Sequence, residues 1–320
     1  MTVAAALVLY AACVGTLGSR MLGRATWPAR APLLAIVVYL SAAWSVVAAL
    51  GLAGLTLAVH ATALAGGLSN MIGACVLRLR DTYATPGGAT VAGLGLTLAG
   101  AVAARTALTA VTHLRAVRRH AIQHAEAARL IGQRDPALGA VLVDHAQPAA
   151  YCVAGPHPTV IVTTAALRTL DSGQLDAVLA HERAHLAYRH HRLLAIARIG
   201  RQVLPLLPLT RNAATQIARL IEMHADDMAA RAHDSGVLAS ALVALATTAS
   251  PVPGPAAPEL AAAVTDAVQR VQRLLSPAEP LGLVRRQLLR AGAGALALTP
   301  VLVALAPAAV ALALGRVPAT

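Results

Sequence analysis

Leu179-Ala180-His181-Glu182-Arg183-Ala184-His185-Leu186 sets two histidines four residues apart around a glutamate. On a helix, positions i and i+4 share a face, so both imidazoles can meet one tetrahedral Zn²⁺ while Glu182 stands beside the metal as a general base. A chain of this length and composition produces the pattern by chance about 0.007 times. That outweighs the bland reading of a solvated face on a His-rich helix. Ten residues upstream, Asp171 followed by Gln174 reads as a helix N-terminus. The helix is predicted to run from there through about Ile199.

A catalytic zinc needs a third protein ligand and an open position. Leu220-Ile221-Glu222-Met223-His224-Ala225-Asp226-Asp227 offers Glu222 as that ligand. Asp226, one turn on along the same face, would accept the second N–H of a ligand histidine and fix its tautomer. An i, i+4 acid pair is common on exposed helices; 37 residues after the histidine motif it gains meaning. The extended pattern with a downstream Gly and third His is absent, since Tyr188 and Arg192 occupy those positions. His190 and His191, five and six residues past His185, lie off its face and read as helix-surface residues. His224 points away from Glu222 and Asp226. Tyr188, Arg231 and His233 are all candidates for stabilising an oxyanion, and spacing does not choose among them. Cys152 reads as a small buried strand residue rather than a nucleophile, because nothing local depresses its pKa.

Around this segment the chain is unusually apolar. Of 320 residues 57% are hydrophobic and 12% charged, against about 25% charged in soluble domains. All 26 basic residues are Arg, so lysine-based Schiff-base and P-loop chemistry is excluded. The formal charge of +12 does not mark a nucleic-acid binder, because the arginines are scattered or flank apolar runs. Cys13, Cys75 and Cys152 form no C-x-x-C pair and support neither disulfides nor a thiolate zinc site.

Charges are missing from Met1–Ser19, Ala31–Leu77, Thr82–Ala104 and Ala291–Gly315. Each run is long enough to cross about 30 Å of hydrocarbon as a helix. Spans are expected at Thr2–Leu17, Pro32–Val59, Gly87–Val111 and Ala291–Leu314. The stretch 61–80 reads as an amphipathic helix on the outer membrane surface, presenting Leu68, Met71, Ile72 and Cys75. Nine arginines (Arg20, Arg24, Arg30, Arg115, Arg118, Arg119, Arg285, Arg286 and Arg290) flank the spans on one side, against Arg78, Arg80 and Arg316 on the other. The positive-inside rule then makes this an integral cell-membrane protein with its N-terminus outside and its large middle segment in the cytosol. Three parts follow: residues 1–112 with three spans, a cytosolic domain over 113–290, and a last span over 291–320. In the middle part Gly139–Asp144, Tyr151–Ala154 and Thr159–Thr164 read as strands. Helices are expected over Ala213–Ala230, Val237–Thr248 and Leu260–Leu275, the last two separated by the Pro-rich connection Ser250–Pro258.

Taken together, Ala149-Ala150-Tyr151, Val160-Ile161-Val162-Thr163-Thr164-Ala165-Ala166-Leu167, the run Gln174–His185, and Glu222-Met223-His224-Ala225-Asp226 resemble the integral-membrane gluzincin peptidases. The resemblance is to family M48 and, more closely, to family M56, to which the β-lactam sensor-transducers of staphylococci belong. It covers roughly Gln133–Leu275, including Arg270-Val271-Gln272-Arg273-Leu274-Leu275. Three spans before the domain and one after also resemble the M56 arrangement. Arg183 departs from the uncharged residue usual inside the motif, and no external penicillin-binding domain is expected.

The fold implied is mainly α, with multi-pass transmembrane helices and a cytosolic α+β zincin domain carrying a small β-hairpin or sheet. The activity implied is zinc-dependent hydrolysis of peptide bonds, with metal on His181, His185 and Glu222 and with Glu182 as base. A protein or peptide substrate would add as a strand along Tyr151, Cys152 and Val153. The leading expectation is regulatory cleavage of a cytosolic protein such as a transcriptional repressor. Housekeeping proteolysis of membrane proteins is the alternative. Intact Glu182 argues against a non-catalytic zinc-stabilised receptor. A transporter is disfavoured because the spans hold almost no ionisable residue.

Overall fold

The computed structural model describes residues 2–58, 88–155, 157–248 and 257–313. The expected amphipathic helix over 61–80, most of the Pro-rich connection and Arg316 lie outside them. Among the described residues, four helices are long and apolar enough to cross a membrane: Thr2–Arg24, Pro32–Ala58, Ala89–Ala128 and Leu283–Pro307. The first is helix α1 (Thr2–Cys13), a π-helical turn at Val14–Gly18, and α2 (Ser19–Arg24). Helix α3 (Pro32–Ala58) packs against α4 (Gly88–Ile131) through touching backbones. A Cβ on Gly54 would stand 2.7 Å from Gly95 O, and one on Gly95 would stand 2.6 Å from Gly54 O. Only glycine permits that approach, which brings the two backbones into close dispersion contact.

Helix α4 continues without a break past residue 112, carrying the chain from the third apolar span into the middle segment. Its Arg105 does not leave a stray charge: Nε donates to Val203 O at 2.8 Å and Nη2 to Gln202 O at 2.7 Å. The guanidinium thus satisfies carbonyls at the end of a later helix.

A four-stranded sheet follows: β1 (Gln133–Asp135), β2 (Ala140–Val143), β3 (Ala150–Val153) and β4 (Thr159–Thr163), in the order β1-β2-β4-β3. Strands β2 and β4 are parallel; the outer pairs are antiparallel. Side chains alternate between the faces, as strand geometry requires. Val141, Val143, Val153 and Ile161 pack on Ala121, Ala125 and Ala128 of α4. Ala140, Val160 and Val162 face Ala166 of the short helix α5 (Thr164–Thr169) and Leu179. Three strand expectations hold to within a residue or so. Strand β1 was not expected, being three polar residues with no apolar alternation.

Five further helices complete the fold: α6 (Ser172–Ala187), α7 (His190–Val203), α8 (Pro208–Ala229), α9 (Ser235–Thr248) and α10 (Ala257–Leu275). Helix α11 (Leu283–Ala313) carries the last apolar span. The Asp171 and Gln174 side chains cap the start of α6 reciprocally. Helix α8 starts five residues before the expected Ala213, at a proline pre-set for the first helical turn. It belongs both to the bundle of apolar helices and to the site: Leu209, Ala213, Ile217 and Ile221 are buried with Leu7, Ile36, Tyr39 and Val46 of α1 and α3 in one core. Arg273 of α10 donates to Ala29 O in the turn between the first two apolar helices, at 3.0 Å. That turn and the site helices therefore lie on the same side of the bundle.

One expectation is corrected. The helix from Asp171 does not reach Ile199 unbroken but ends at Ala187, and a new one starts at His190. Between them Arg189 is left-handed, φ 52° and ψ 41°, among the described residues the one non-glycine with positive φ.

Candidate metal centre

Helix α6 delivers His181, Glu182 and His185, and α8 crosses it to deliver Glu222 and Asp226. His181 Nε2 and His185 Nε2 are 3.1 Å apart. Glu222 Oε2 lies 3.5 Å from the first and Glu222 Oε1 lies 3.6 Å from the second. Donors around a tetrahedral zinc at about 2.0–2.1 Å stand roughly 3.3 Å from one another. The three residues therefore fit a zinc ion, with one carboxylate and two neutral imidazoles as the donor set. Among the described residues this is the one such grouping.

Asp226 is fully buried behind His181, its Oδ1 3.0 Å from His181 Nδ1, though the ring N–H is not aligned for a full hydrogen bond. Sequence reasoning missed its other partner. Arg270 of α10 grips Asp226 with two donors, Nε to Oδ2 at 2.8 Å and Nη2 to Oδ1 at 2.7 Å, and its Nη1 stands 3.2 Å from Glu222 Oε2. No spacing rule links residue 270 to 226, since α10 follows the Pro-rich connection. The run Arg270–Leu275 belongs to the stretch that the family resemblance covers, but nothing in it points Arg270 to Asp226.

The electrostatics follow from these partners. Burial lowers the His181 pKa, but the Asp226 and Glu222 carboxylates against its ring overcome it and raise the value to about 9. Burial would raise Asp226, yet Arg270 and His181 hold it down at about 2. Glu222 is likewise held below its ordinary value, against burial, by His181 and Arg270. His185 lacks a carboxylate partner of that kind, and burial drops it to about 4. Glu182 is raised by burial, with the His181 charge opposing and Glu222 adding. A carboxyl lifted in this way holds a proton more readily than an ordinary glutamate, which suits a group that must both take and return one.

Strand β3 lies at the sheet edge beside α6, with Tyr151 41% exposed. Tyr151, Cys152 and Val153 line an open cavity of about 410 Å³ that also reaches His185, Glu222 and Ile221. The Cys152 thiol is pushed up to about 12 by burial and by the neighbouring Glu182 carboxylate, so it is no nucleophile. Arg183 turns away from the centre and donates from Nη2 to Leu138 O at 2.7 Å.

Two histidines behave differently from expectation. His190 is 2% exposed rather than on the surface. Its Nδ1 lies 3.0 Å from His185 Nδ1 and its Nε2 lies 2.9 Å from His224 Nδ1. The left-handed Arg189 causes this, because it swings the start of α7 back over the end of α6. His224 points away from the Glu222 carboxylate as expected, but into this buried row. Of the candidate oxyanion residues, Tyr188 packs its ring edge-on to His224, with ring centroids 4.6 Å apart.

The family model described as peptidase family M48 matches residues 114–210. Comparison with curated proteins and with solved structures gave no match. The matched stretch runs from the second half of α4 through the sheet and the His181–His185 motif to the start of α8, and it ends before Glu222, which the folding of α8 across α6 brings to the same point. Over residues 114–210, then, the chain is similar to peptidase family M48, one of the two families that its residues resemble.

Proposed function

We propose that the protein is a membrane-embedded zinc endopeptidase whose metal is held by His181, His185 and Glu222. The convergence of their three donor groups at separations of 3.1 to 3.6 Å, with Glu182 next in sequence to His181, is the observation that carries this reading. Bound there, zinc would supply a Lewis acid that polarises the scissile carbonyl and acidifies water. Glu182 takes a proton from the attacking water and returns it to the leaving amine, a task favoured by its raised pKa. Asp226 orients His181 through Nδ1, and Arg270 keeps Asp226 ionised. The outer edge of β3, the last strand of the sheet among the described residues, takes the substrate backbone as an added strand, so that Tyr151, Cys152 and Val153 align an extended peptide without demanding much sequence.

The substrate we infer is a cytosolic protein, of which a transcriptional repressor is one kind, in regulatory proteolysis of the M56 type. The Arg bias, with the packing of the first turn against α10, supports an orientation that puts the metal centre in the cytosol. A second reading, quality control of membrane proteins, is favoured by the match to M48. Comparing protein N-termini in cells carrying wild type or Glu182→Gln separates them. New termini confined to one or a few soluble proteins support regulation, many termini in membrane proteins support quality control, and no difference contradicts the peptidase reading.

A further inference from the structure

His190 occupies a place that its sequence spacing denies it. In a continuous helix, residue 190 would point about 140° away from His185. The left-handed Arg189 instead brings three imidazoles, half-buried His185 and buried His190 and His224, edge to face into one row with contacts of 3.0 and 2.9 Å. A neutral imidazole has one donor and one acceptor nitrogen, so each contact needs one proton. The row therefore runs in one of two directions, from His185 to His224 or the reverse.

The metal centre selects the direction. His185 Nε2 is the nitrogen that faces His181 Nε2 and Glu222, and it must offer a lone pair to bind zinc. The proton of a neutral His185 is then on Nδ1, facing His190 Nδ1. We propose that His190 is a positioning residue: its Nδ1 accepts the Nδ1–H of His185, its own proton sits on Nε2, and it donates that proton to Nδ1 of His224. The reverse direction would put the His185 proton on Nε2, inside the metal position. The inference rests on the zinc reading above.

The two ligand histidines are thus held by different means. His181 is backed by the Asp226–Arg270 ion pair, whereas His185 is backed by a neutral row. His190 and His224 are buried, 2% and 5% exposed, which disfavours a charge on either ring. A neutral partner adds no charge to a centre that already sets Glu182, Glu222 and Asp226 against Arg270.

The test is zinc titration of the full-length, detergent-solubilised protein against a competing chelator, with circular dichroism to verify folding. His190→Leu, which removes the acceptor, is expected to weaken zinc by about 10–100-fold. His190→Asn places Oδ1 where Nδ1 was and is expected to stay within about threefold of wild type, whereas His190→Gln places its amide where Nε2 was and is expected to behave like His190→Leu. The Asn and Gln variants also carry the test if His190→Leu does not fold. Nitrogen-15 NMR of histidine-labelled, zinc-loaded Glu182→Gln protein should find the His190 proton on Nε2. Unchanged zinc affinity in His190→Leu, equal affinity of the Asn and Gln variants, or a proton on His190 Nδ1 would overturn the proposal. Should wild type bind no zinc, the peptidase reading fails instead, and NMR of the metal-free protein decides the direction of the row.

Discussion

Arg270 and Asp226 form a two-pronged ion pair directly behind His181, with contacts of 2.8 and 2.7 Å, and Asp226 has no exposed surface. A buried carboxylate without its cation is far costlier than the pair is beneficial. Arg270→Met should therefore lower stability by about 3–5 kcal/mol, seen as an earlier denaturant midpoint in detergent. Arg270→Lys should recover only part of this, because one ammonium cannot reproduce two parallel donors. Pairing Arg270→Met with Asp226→Asn should restore most of the loss, and an additive double variant would refute the coupling.

Glu222 and Asp226 sit one turn apart on α8 but play different parts. Glu222→Ala should abolish zinc binding at the centre. Asp226→Asn keeps the shape and loses only the charge behind His181, so zinc should weaken by about 10–100-fold. Isothermal titration with zinc reads both; retention of zinc by Glu222→Ala would require another third ligand.

Zinc must displace whatever proton the centre holds. With His181 raised to about 9, His185 at about 4 and Glu222 lowered, only His181 carries a proton to be displaced at pH 7. Binding should release about one proton at pH 7, measured by calorimetry in buffers of different ionisation enthalpy, and affinity should rise about tenfold per pH unit up to about 9. The metal-free protein responds oppositely. The raised pKa of His181 contributes stability that is complete below its unfolded value of 6.5 and is lost as pH rises through about 9. Asp226, lowered to about 2, contributes stability above 3.8 that is lost as pH falls through about 2. Release of two protons or none at pH 7 would contradict this assignment.

Arg189 bears the left-handed turn that separates α6 from α7, a conformation that costs a residue with a Cβ about 1–2 kcal/mol. Arg189→Gly should therefore raise stability by about 0.5–1 kcal/mol in thermal unfolding. In a continuous helix the same change would cost about 1 kcal/mol, so the sign alone decides.

The same residue marks the limit of what the sequence reveals. The apolar runs, the three longer strands and the His181–His185 and Glu222–Asp226 motifs are legible because burial and ligand spacing leave periodic traces. Helix α6 opens where Asp171 and Gln174 say it should. Arg189 leaves no such trace, since an arginine is no signal of a left-handed turn, and so the burial of His190 could not be read. Arg270 reaches the centre through tertiary packing of α10 alone. Arg105, at the edge of an apolar run, finds its partners on the last carbonyls of α7, a pairing that spacing along α4 does not encode.

The most direct test of the zinc peptidase assignment is zinc stoichiometry measured beside proteolysis for wild type and Glu182→Gln. In the proposed mechanism Glu182 serves as the base and not as a ligand, so both proteins should carry about one zinc per chain, and only wild type should cleave. Undiminished cleavage by Glu182→Gln, or loss of its zinc, would contradict the account.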